Sequence, residues 1–197
     1  MGIGNGGSSL RLFFALPLAG ELRGRAAELQ RELARNADRA RVKWVEAENL
    51  HMTLKFVGDA PAERLAEFLT VAEGVAENAR ACTIEYQGVG CFADRGRCPR
   101  TIWLGLAREA PELGTLAGSL DAELADAGLA ESEKRPFTAH LTLGRVKNRR
   151  DSEALLEAAR RLQSAPVGVQ TVDSFTLISS ELTAQGPIYT EQGRFRL

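Results

Sequence analysis

Hydrophobic residues recur along the chain with two different periods, and the alternation of these periods predicts an α+β fold. In residues 21–39 the apolar side chains fall at steps of three and four residues, a spacing typical of an amphipathic helix. Further helices are predicted for residues 61–78, for residues 111–127 and after Asp151. Proline favours the first helical turn, glycine favours a helix end and aspartate favours an N-cap position.

Shorter apolar segments bounded by glycine and proline predict strands between and after these helices. Residues 90–99 contain arginine, cysteine and glycine, and we interpret them as a surface loop. The glycine- and serine-rich residues 1–9 are interpreted as a flexible N-terminal tail, and residues 10–197 as a single domain with two lobes. The predicted strands are residues 12–16, 51–57, 83–89, 101–106, 140–146, 172–179 and 188–195, and residues 42–45 are predicted to be a short extended segment.

The two halves of the chain resemble each other at an offset of 89 residues (140 − 51). At this offset residues 51–54 (HMTL) align with residues 140–143 (HLTL), and Phe13-Phe14 aligns with Ile102-Trp103. The repeat predicts two pseudo-symmetric lobes, each a mainly antiparallel sheet with helices on its outer face. A central cleft between the lobes would then carry the two H-x-T-x motifs.

The composition excludes a protein that coats nucleic acid with its whole surface. The formal net charge is −1 and the pI is about 6.2, although a local basic cleft would need only a few cations. Cys82, Cys91 and Cys98 are odd in number and not closely paired, which argues against a disulfide framework and a zinc knuckle. We therefore expect ordinary thiols and a cytoplasmic location.

The chain has two histidines, His51 and His140, and each begins the tetrapeptide His-apolar-Thr-Leu. Residues two apart on a strand share one face, so His51 is expected beside Thr53 and His140 beside Thr142. One such strand would be an ordinary half-exposed strand. Two copies at equivalent positions of a repeat indicate a shared site, although a duplication kept for packing alone would give the same pattern.

Two imidazoles and two hydroxyl groups suit general acid/base chemistry on a phosphate. Imidazole titrates near neutral pH, so one ring can be protonated while the other is neutral. Threonine hydroxyls can donate hydrogen bonds to phosphate oxygens. No carboxylate stands at a ligand-like spacing from the histidines, so we expect neither a metal ion nor another cofactor.

Three residues near the motifs are candidates for contact with a substrate. Lys55 has the strand parity of His51, so it either reaches the phosphate or is a solvated lysine. Arg145 follows His140 by five residues, and ideal alternation places it on the opposite face unless a bulge intervenes. Phe56 has the same parity problem and is otherwise a core residue. Other cations could steer an RNA end or form an ordinary surface: Arg95, Arg97, Arg100, Lys147, Arg149 and Arg150.

These motifs resemble those of the 2H phosphoesterase superfamily, most closely the RNA 2′,3′-cyclic phosphodiesterases, also called 2′-5′ RNA ligases. The resemblance covers nearly the whole chain from Arg11 and implies two α+β lobes around a cleft. It implies that His51 is the proton donor and His140 the proton acceptor. The segments that carry the resemblance are RLFFALPL, WVEAENLHMTLKFVGD, GVGCFADRGRCPRTIWLGL, RPFTAHLTLGRVK and GPIYTEQGRFRL. Substrate contacts are implied for Thr53, Thr142, Arg145 and Phe56.

The implied reaction is metal-independent hydrolysis of RNA 2′,3′-cyclic phosphodiester ends to 2′-phosphomonoesters. Neutral His140 would take a proton from the attacking water, and protonated His51 would donate a proton to the departing ribose 3′ oxygen. Two alternatives remain open, namely reversible ATP-independent 2′-5′ RNA ligation and a non-catalytic nucleotide- or RNA-binding module. The expected partners are RNA ends or nucleoside 2′,3′-cyclic phosphates, and we expect a monomer that does not associate with membranes.

Overall fold

The computed structural model describes residues 8–37, 41–94, 98–147, 152–184 and 186–197, and helices alternate with strands as the sequence predicts. The helices are α1 (Gly20–Ala34), α2 (Leu65–Glu77), α3 (Pro111–Asp126) and α4 (Glu153–Arg161). The strands are β1 (Ser9–Pro17), β2 (Val42–Trp44), β3 (His51–Pro61), β4 (Cys82–Asp94), β5 (Cys98–Leu106), β6 (Leu141–Val146), β7 (Pro166–Val172), β8 (Ser174–Leu182) and β9 (Pro187–Arg196).

The strands form one curled antiparallel sheet with two wings. Its order is β7-β4-β5-β6-β3-β1-β8-β9, and β2 pairs separately with β6. We call β3, β1, β8 and β9 the first wing, and β7, β4, β5 and β6 the second wing. The wings meet where β3 pairs with β6, and the pairing there joins Met52 to Leu141. The predicted pair of lobes is therefore confirmed, and the two lobes share one continuous sheet.

The helices cover one face of this sheet, and each wing is covered by one helix from each half of the chain. Helices α1 and α4 pack against each other and against strands of the second wing, whereas α2 and α3 pack against each other and against the first wing. The position of α1 on the second wing follows from the connectivity of the chain. The chain leaves β1 in the first wing through α1 and returns as β2, which pairs with β6 of the second wing.

Alternation along β1 separates the helix-covered face from the open face. Leu12, Phe14 and Leu16 are buried in the main hydrophobic core beneath the helices. Phe13 and Ala15 point to the opposite face, where they belong to a second, small apolar cluster. Side chains of period two thus form the core on one side and the floor of the open face on the other.

Residues 90–99 differ from the predicted surface loop, because their described part belongs to the hairpin of β4 and β5. Gly90 pairs with Trp103, and a Cβ atom at Gly90 would lie 2.2 Å from the indole ring. This glycine therefore makes room for an aromatic ring within a strand rather than marking a turn. Strand β7 was also missed, because Pro166 and Gly168 are typical turn residues. At the edge of a sheet proline is tolerated.

The N-terminal boundary also shifts slightly. Ser9 begins β1, and the Ser8 carbonyl accepts a hydrogen bond from the Ala62 amide, so these two residues do not belong to the predicted tail. Residues 1–7 lie outside the described part of the chain. Within the described residues, no helix combines the length and the apolar character needed to cross a membrane.

Candidate active site

Both H-x-T-L motifs lie at the junction of the two wings, on adjacent antiparallel strands. Met52 pairs with Leu141, and both side chains are fully buried in the core. In this register His51 lies beside Thr142 and Thr53 beside His140, all on the face opposite the core. Directly opposed side chains on such strands have Cβ atoms about 5 Å apart. The two imidazoles and two hydroxyls are thus interleaved across one strand boundary.

Both imidazoles are oriented by the same backbone contact. The His51 Nδ1 lies 2.7 Å from the Asn49 carbonyl oxygen, and the His140 Nδ1 lies 2.8 Å from the Thr138 carbonyl oxygen. A carbonyl only accepts hydrogen bonds, so Nδ1 carries the proton in both rings. Each Nε2 is left available to accept or donate a proton, as acid/base chemistry requires.

A bulge in β3 changes the face of the residues that follow Thr53. Ala15 pairs with Thr53 while Phe14 pairs with Lys55, so Leu54 is an extra residue. The bulge turns both Leu54 and Lys55 toward the core, and Phe56 emerges beside the motif with 45% of its surface exposed. Phe56 therefore lies on the face of His51, which simple alternation did not predict.

An equivalent bulge in β6 does the same for Arg145. Trp103 pairs with Thr142 while Ile102 pairs with Gly144, so Leu143 is the extra residue. Arg145 consequently returns to the face of Thr142 and is exposed there. A bulge was one of the two possibilities that the sequence left open for this arginine.

The strand pairing also corrects the alignment of the two halves. Phe14 is equivalent to Ile102, since each pairs with the residue four positions after its histidine. The first strands of the halves are therefore offset by 88 residues (102 − 14), whereas the motifs are offset by 89. The predicted alignment of Phe13-Phe14 with Ile102-Trp103 was wrong by one residue.

Lys55 does not lie on the face of β3 that the sequence predicted for it. Its side chain is 2% exposed, and its Nζ donates to the Asp121 carboxylate and to the Glu131 carbonyl, both at 2.6 Å. The Asp121 carboxylate also accepts a hydrogen bond from the Glu133 amide. The prediction that Lys55 shares the face of His51 was wrong because the bulge reverses its parity. Its ammonium group instead ties β3 to α3 and to the segment before His140.

Two grooves meet at the motifs. The His51 groove, of about 530 Å³, is lined by Arg11, Phe13, Lys43, Glu46, His51, Thr53, Phe56, Thr142, Arg145, Lys147 and Tyr189, among others. The His140 groove, of about 550 Å³, is lined by Thr53, Lys55, Phe56, Phe92, Asp121, Glu133, Arg135, Phe137, Thr138 and His140, among others. Thr53 and Phe56 contribute to both, so the predicted central cleft consists of two grooves joined at these residues.

The surroundings of the two imidazoles differ. The His51 ring is enclosed by Phe13 and Tyr189, with ring centroids 4.9 and 5.5 Å away, whereas His140 contacts Phe92 at 4.8 Å. Burial lowers the pKa of His51 below its usual 6.5, against the raising effect of the Asn49 carbonyl, and Arg145 and His140 lower it further. His51 is therefore close enough to His140 for their charges to interact.

Sequence reasoning missed Arg11 and Tyr189 as site residues. The Arg11 guanidinium lies 5.1 Å from the centre of the Phe56 ring, in a cation–π contact. Burial raises the pKa of the Tyr189 hydroxyl, and Arg145 and Arg11 act against this, which brings the three side chains into one neighbourhood. The parity that Arg11 shares with Phe13 on β1 was the available signal, but nothing in the sequence identified that face as part of the site.

The wider set of cations is only partly placed. Lys147 lines the His51 groove, and Arg100 is exposed. Arg95, Arg97, Arg149 and Arg150 lie outside the described residues. Within the described ranges, no three His, Cys, Asp or Glu side chains are grouped as metal ligands.

Comparison with known proteins agrees with this arrangement. The family model of LigT-like phosphoesterases matches residues 16–103 and again residues 104–189, and the two matches begin 88 residues apart (104 − 16). An RNA 2′,3′-cyclic phosphodiesterase of Methanothermobacter thermautotrophicus is 39% identical over 189 residues, which cover 95% of this chain and 99% of that protein.

Two crystal structures have the same fold. A protein of Thermus thermophilus has a TM-score of 0.77 at 30% identity, with 95% of this chain and 97% of that one covered. Escherichia coli LigT complexed with 3′-AMP has a TM-score of 0.74 at 27% identity, with 96% and 99% covered.

Proposed function

The chain belongs to the LigT-like phosphoesterase family, and from this premise we propose that it hydrolyses the 2′,3′-cyclic phosphate ends of RNA to 2′-phosphomonoesters. The observation that carries the proposal is the interleaving of two imidazoles and two threonine hydroxyls on β3 and β6. Relatives that are named for this activity, such as the Methanothermobacter protein, match nearly the whole length of the chain.

The two histidines divide the proton transfers. Neutral His140 accepts a proton at Nε2 from the attacking water, and protonated His51 donates the Nε2 proton to the departing ribose 3′ oxygen. Each Nδ1 keeps its proton, which stays hydrogen-bonded to the backbone carbonyl oxygen, so the rings do not rotate during the reaction. Thr53 and Thr142 donate hydrogen bonds to the non-bridging phosphate oxygens.

Arg145 and Phe56 complete the substrate contacts. Arg145 faces the cleft three residues after Thr142, where its guanidinium balances charge on the phosphate. The exposed ring of Phe56 offers a surface on which a nucleobase stacks. Lys55 has no part in phosphate binding, because its donors are directed to Asp121 and Glu131.

The lowered pKa of His51 determines how it works as an acid. In the free protein at neutral pH its ring is mostly neutral, because burial disfavours the imidazolium. Binding of the anionic cyclic phosphate stabilises the imidazolium, so the substrate itself promotes protonation of its acid. A depressed pKa also makes the protonated ring a stronger donor to a poor leaving group.

Turnover of a nucleoside 2′,3′-cyclic phosphate and of an RNA ending in one, in excess EDTA, tests this function. We expect wild-type activity to persist in EDTA and to follow a bell-shaped pH profile that belongs to the coupled histidine pair. His51→Ala and His140→Ala should each lower kcat about 10²- to 10⁴-fold. Full activity in both variants would exclude the proposed mechanism.

One chain is sufficient for the reaction, because both imidazoles, both threonines and Arg145 come from the same molecule. We therefore propose that the protein acts as a monomer, which sedimentation at assay concentration tests. A cytoplasmic location remains a prediction from the cysteine content.

A further inference from the structure

The His51 groove carries more positive charge than one phosphate requires. Arg11, Lys43, Arg145 and Lys147 line it, together with one carboxylate among the described residues, that of Glu46. The whole chain has a formal net charge of −1, so this excess is a local property of the groove. A groove with one sign of charge concentrates ligands of the opposite sign.

Three of these cations, Lys43, Arg145 and Lys147, lie close together where β2 pairs with the end of β6. Lys43 on β2 and Arg145 on β6 are directly paired, and like charges at such positions destabilise a sheet. Lys147 follows Arg145 by two residues, and its amide extends the ladder by donating to the Arg41 carbonyl at 2.8 Å. In the described part of the chain, none of these three side chains forms an ion pair. An anion in the groove would remove this repulsion.

The spacing suits successive phosphates of a nucleic acid. Residues two apart on a strand are separated by about 6.7 Å, which is comparable to the distance between neighbouring phosphates of an extended strand. Arg145 lies nearer to the motif threonine, and Lys147 lies farther along. A chain whose terminal phosphate sits at Thr142 would therefore bring its next phosphate to the far end of this row.

The division of proton transfers sets the direction of the RNA. The acid must face the ribose 3′ oxygen, and His51 lines this groove whereas His140 lines the other one. The body of the RNA therefore leaves the reacting phosphorus through the His51 groove, and the attacking water enters through the His140 groove.

We propose that Lys43 and Lys147 form a second phosphate subsite, which binds the phosphodiester that precedes the terminal nucleotide of the RNA. This inference rests on the proposed function, and it makes an oligonucleotide the preferred substrate over a mononucleotide. Arg145 serves the reacting phosphate, whereas the two lysines act only on a substrate with at least two nucleotides.

Three substrates test the subsite. They are uridine 2′,3′-cyclic phosphate, the dinucleotide UpU ending in a 2′,3′-cyclic phosphate, and the same dinucleotide with an uncharged methylphosphonate linkage. For the wild type we expect kcat/KM on the charged dinucleotide to exceed that on the other two about tenfold. Lys43→Ala combined with Lys147→Ala should raise KM for the charged dinucleotide about tenfold, since two ionic contacts are lost. Its kinetics on the other two substrates should stay within about twofold.

Arg80→Ala combined with Arg196→Ala is the matched control, because it removes two exposed cations that do not line the groove. This variant should behave as the wild type. The slope of log KM against log salt concentration on the charged dinucleotide should fall by about 0.7 only in the lysine variant, because one phosphate loses its cations. Equal effects of the lysine variant on all three substrates would overturn the subsite while leaving the hydrolase function intact. Absence of wild-type turnover on every substrate would remove the proposed function itself.

Discussion

The His51 strand and the His140 strand share one backbone plan but have different surroundings. In both, Nδ1 contacts the carbonyl two residues earlier, and the leucine after the motif threonine is the extra residue of a bulge. The fourth residue after the histidine then turns to the core, and the fifth emerges in the grooves. The shared plan is what a duplication preserves, because hydrogen bonds and bulges depend on the backbone more than on side chains.

The differences lie in what each motif packs against. The fourth residue is Lys55 in one strand, where Asp121 neutralises it, and Gly144 in the other, where Trp44 and Val42 occupy the space of a side chain. The fifth residue is the aromatic Phe56 in one and the cation Arg145 in the other. Two copies of one strand have thereby become an enclosed histidine followed by an exposed aromatic ring and a more open histidine followed by an arginine that lines the His51 groove.

The largest expected difference between the two histidines concerns the leaving group. A 2′,3′-cyclic substrate with sulfur in place of the ribose 3′ oxygen releases a thiolate, which needs no proton from an acid. On the oxygen substrate His51→Ala should lower kcat about 10²- to 10⁴-fold. On the sulfur substrate His51→Ala should regain most of this kcat, whereas His140→Ala should not. Steady-state kcat on the oxygen and sulfur substrates measures the effect.

The wild type on both substrates and the thermal stability of both variants serve as controls. Rescue of His140→Ala instead of His51→Ala would reverse the assigned roles. Rescue of both to the same extent would mean that the enclosed and open surroundings do not distinguish acid from base.

The second difference concerns how much the fourth residue after each histidine, Lys55 or Gly144, contributes to the stability of the fold. Asp121→Asn removes the carboxylate that lies 2.6 Å from the buried Lys55 ammonium and leaves the exposed Glu133 carboxylate at 3.9 Å, so it should lower the free energy of unfolding by about 3 kcal/mol. Lys55→Met should cost less, because Asp121 remains 22% exposed to water. The double variant should cost less than the sum of the two single changes. Urea unfolding measures all three.

Gly144→Ala is the matched change in the other strand. An added Cβ would lie 2.8 Å from both the Trp44 ring and a Val42 methyl group, so we expect a loss of about 1 to 2 kcal/mol from overpacking. Additive effects of Lys55→Met and Asp121→Asn would show that their ion pair does not tie β3 to α3.

The smallest expected effect concerns the pKa of His51. Burial, with smaller contributions from Arg145 and His140, lowers this pKa below the 6.5 of an unperturbed histidine. Well above pH 6.5 the ring is neutral in both the folded and the unfolded chain. As the pH falls below 6.5, the unfolded chain binds the proton first, so stability is lost until the pH drops below the folded pKa.

Arg145→Gln should raise the pKa of His51, because one repulsive charge is removed. NMR titration of the imidazole resonances measures this shift, and Arg80→Gln is the control that should leave it unchanged. A lower pKa in Arg145→Gln would contradict the placement of the guanidinium near the ring.

The sequence alone determined the family of this chain and the general plan of its fold. Two histidines in near-identical tetrapeptides, one repeat apart, indicated a shared site, and the two hydrophobic periods located most strands and all the described helices. These inferences succeed because backbone periodicity and residue type are local properties. The repeat was also sufficient to predict two lobes, which the single sheet with two wings confirms.

Only the tertiary structure decided which side chains face the cleft. Simple alternation placed Lys55 in the cleft and Phe56 outside it, and the bulges reversed both because one extra residue exchanges the faces of a strand. A bulge forms where the pairing of neighbouring strands requires it, and those strands lie far apart in sequence. The sequence likewise did not place Arg11, Lys43 and Tyr189 beside the motifs. The site is assembled from β1, β2, β3, β6 and β9, and no local sequence pattern shows that these strands come together.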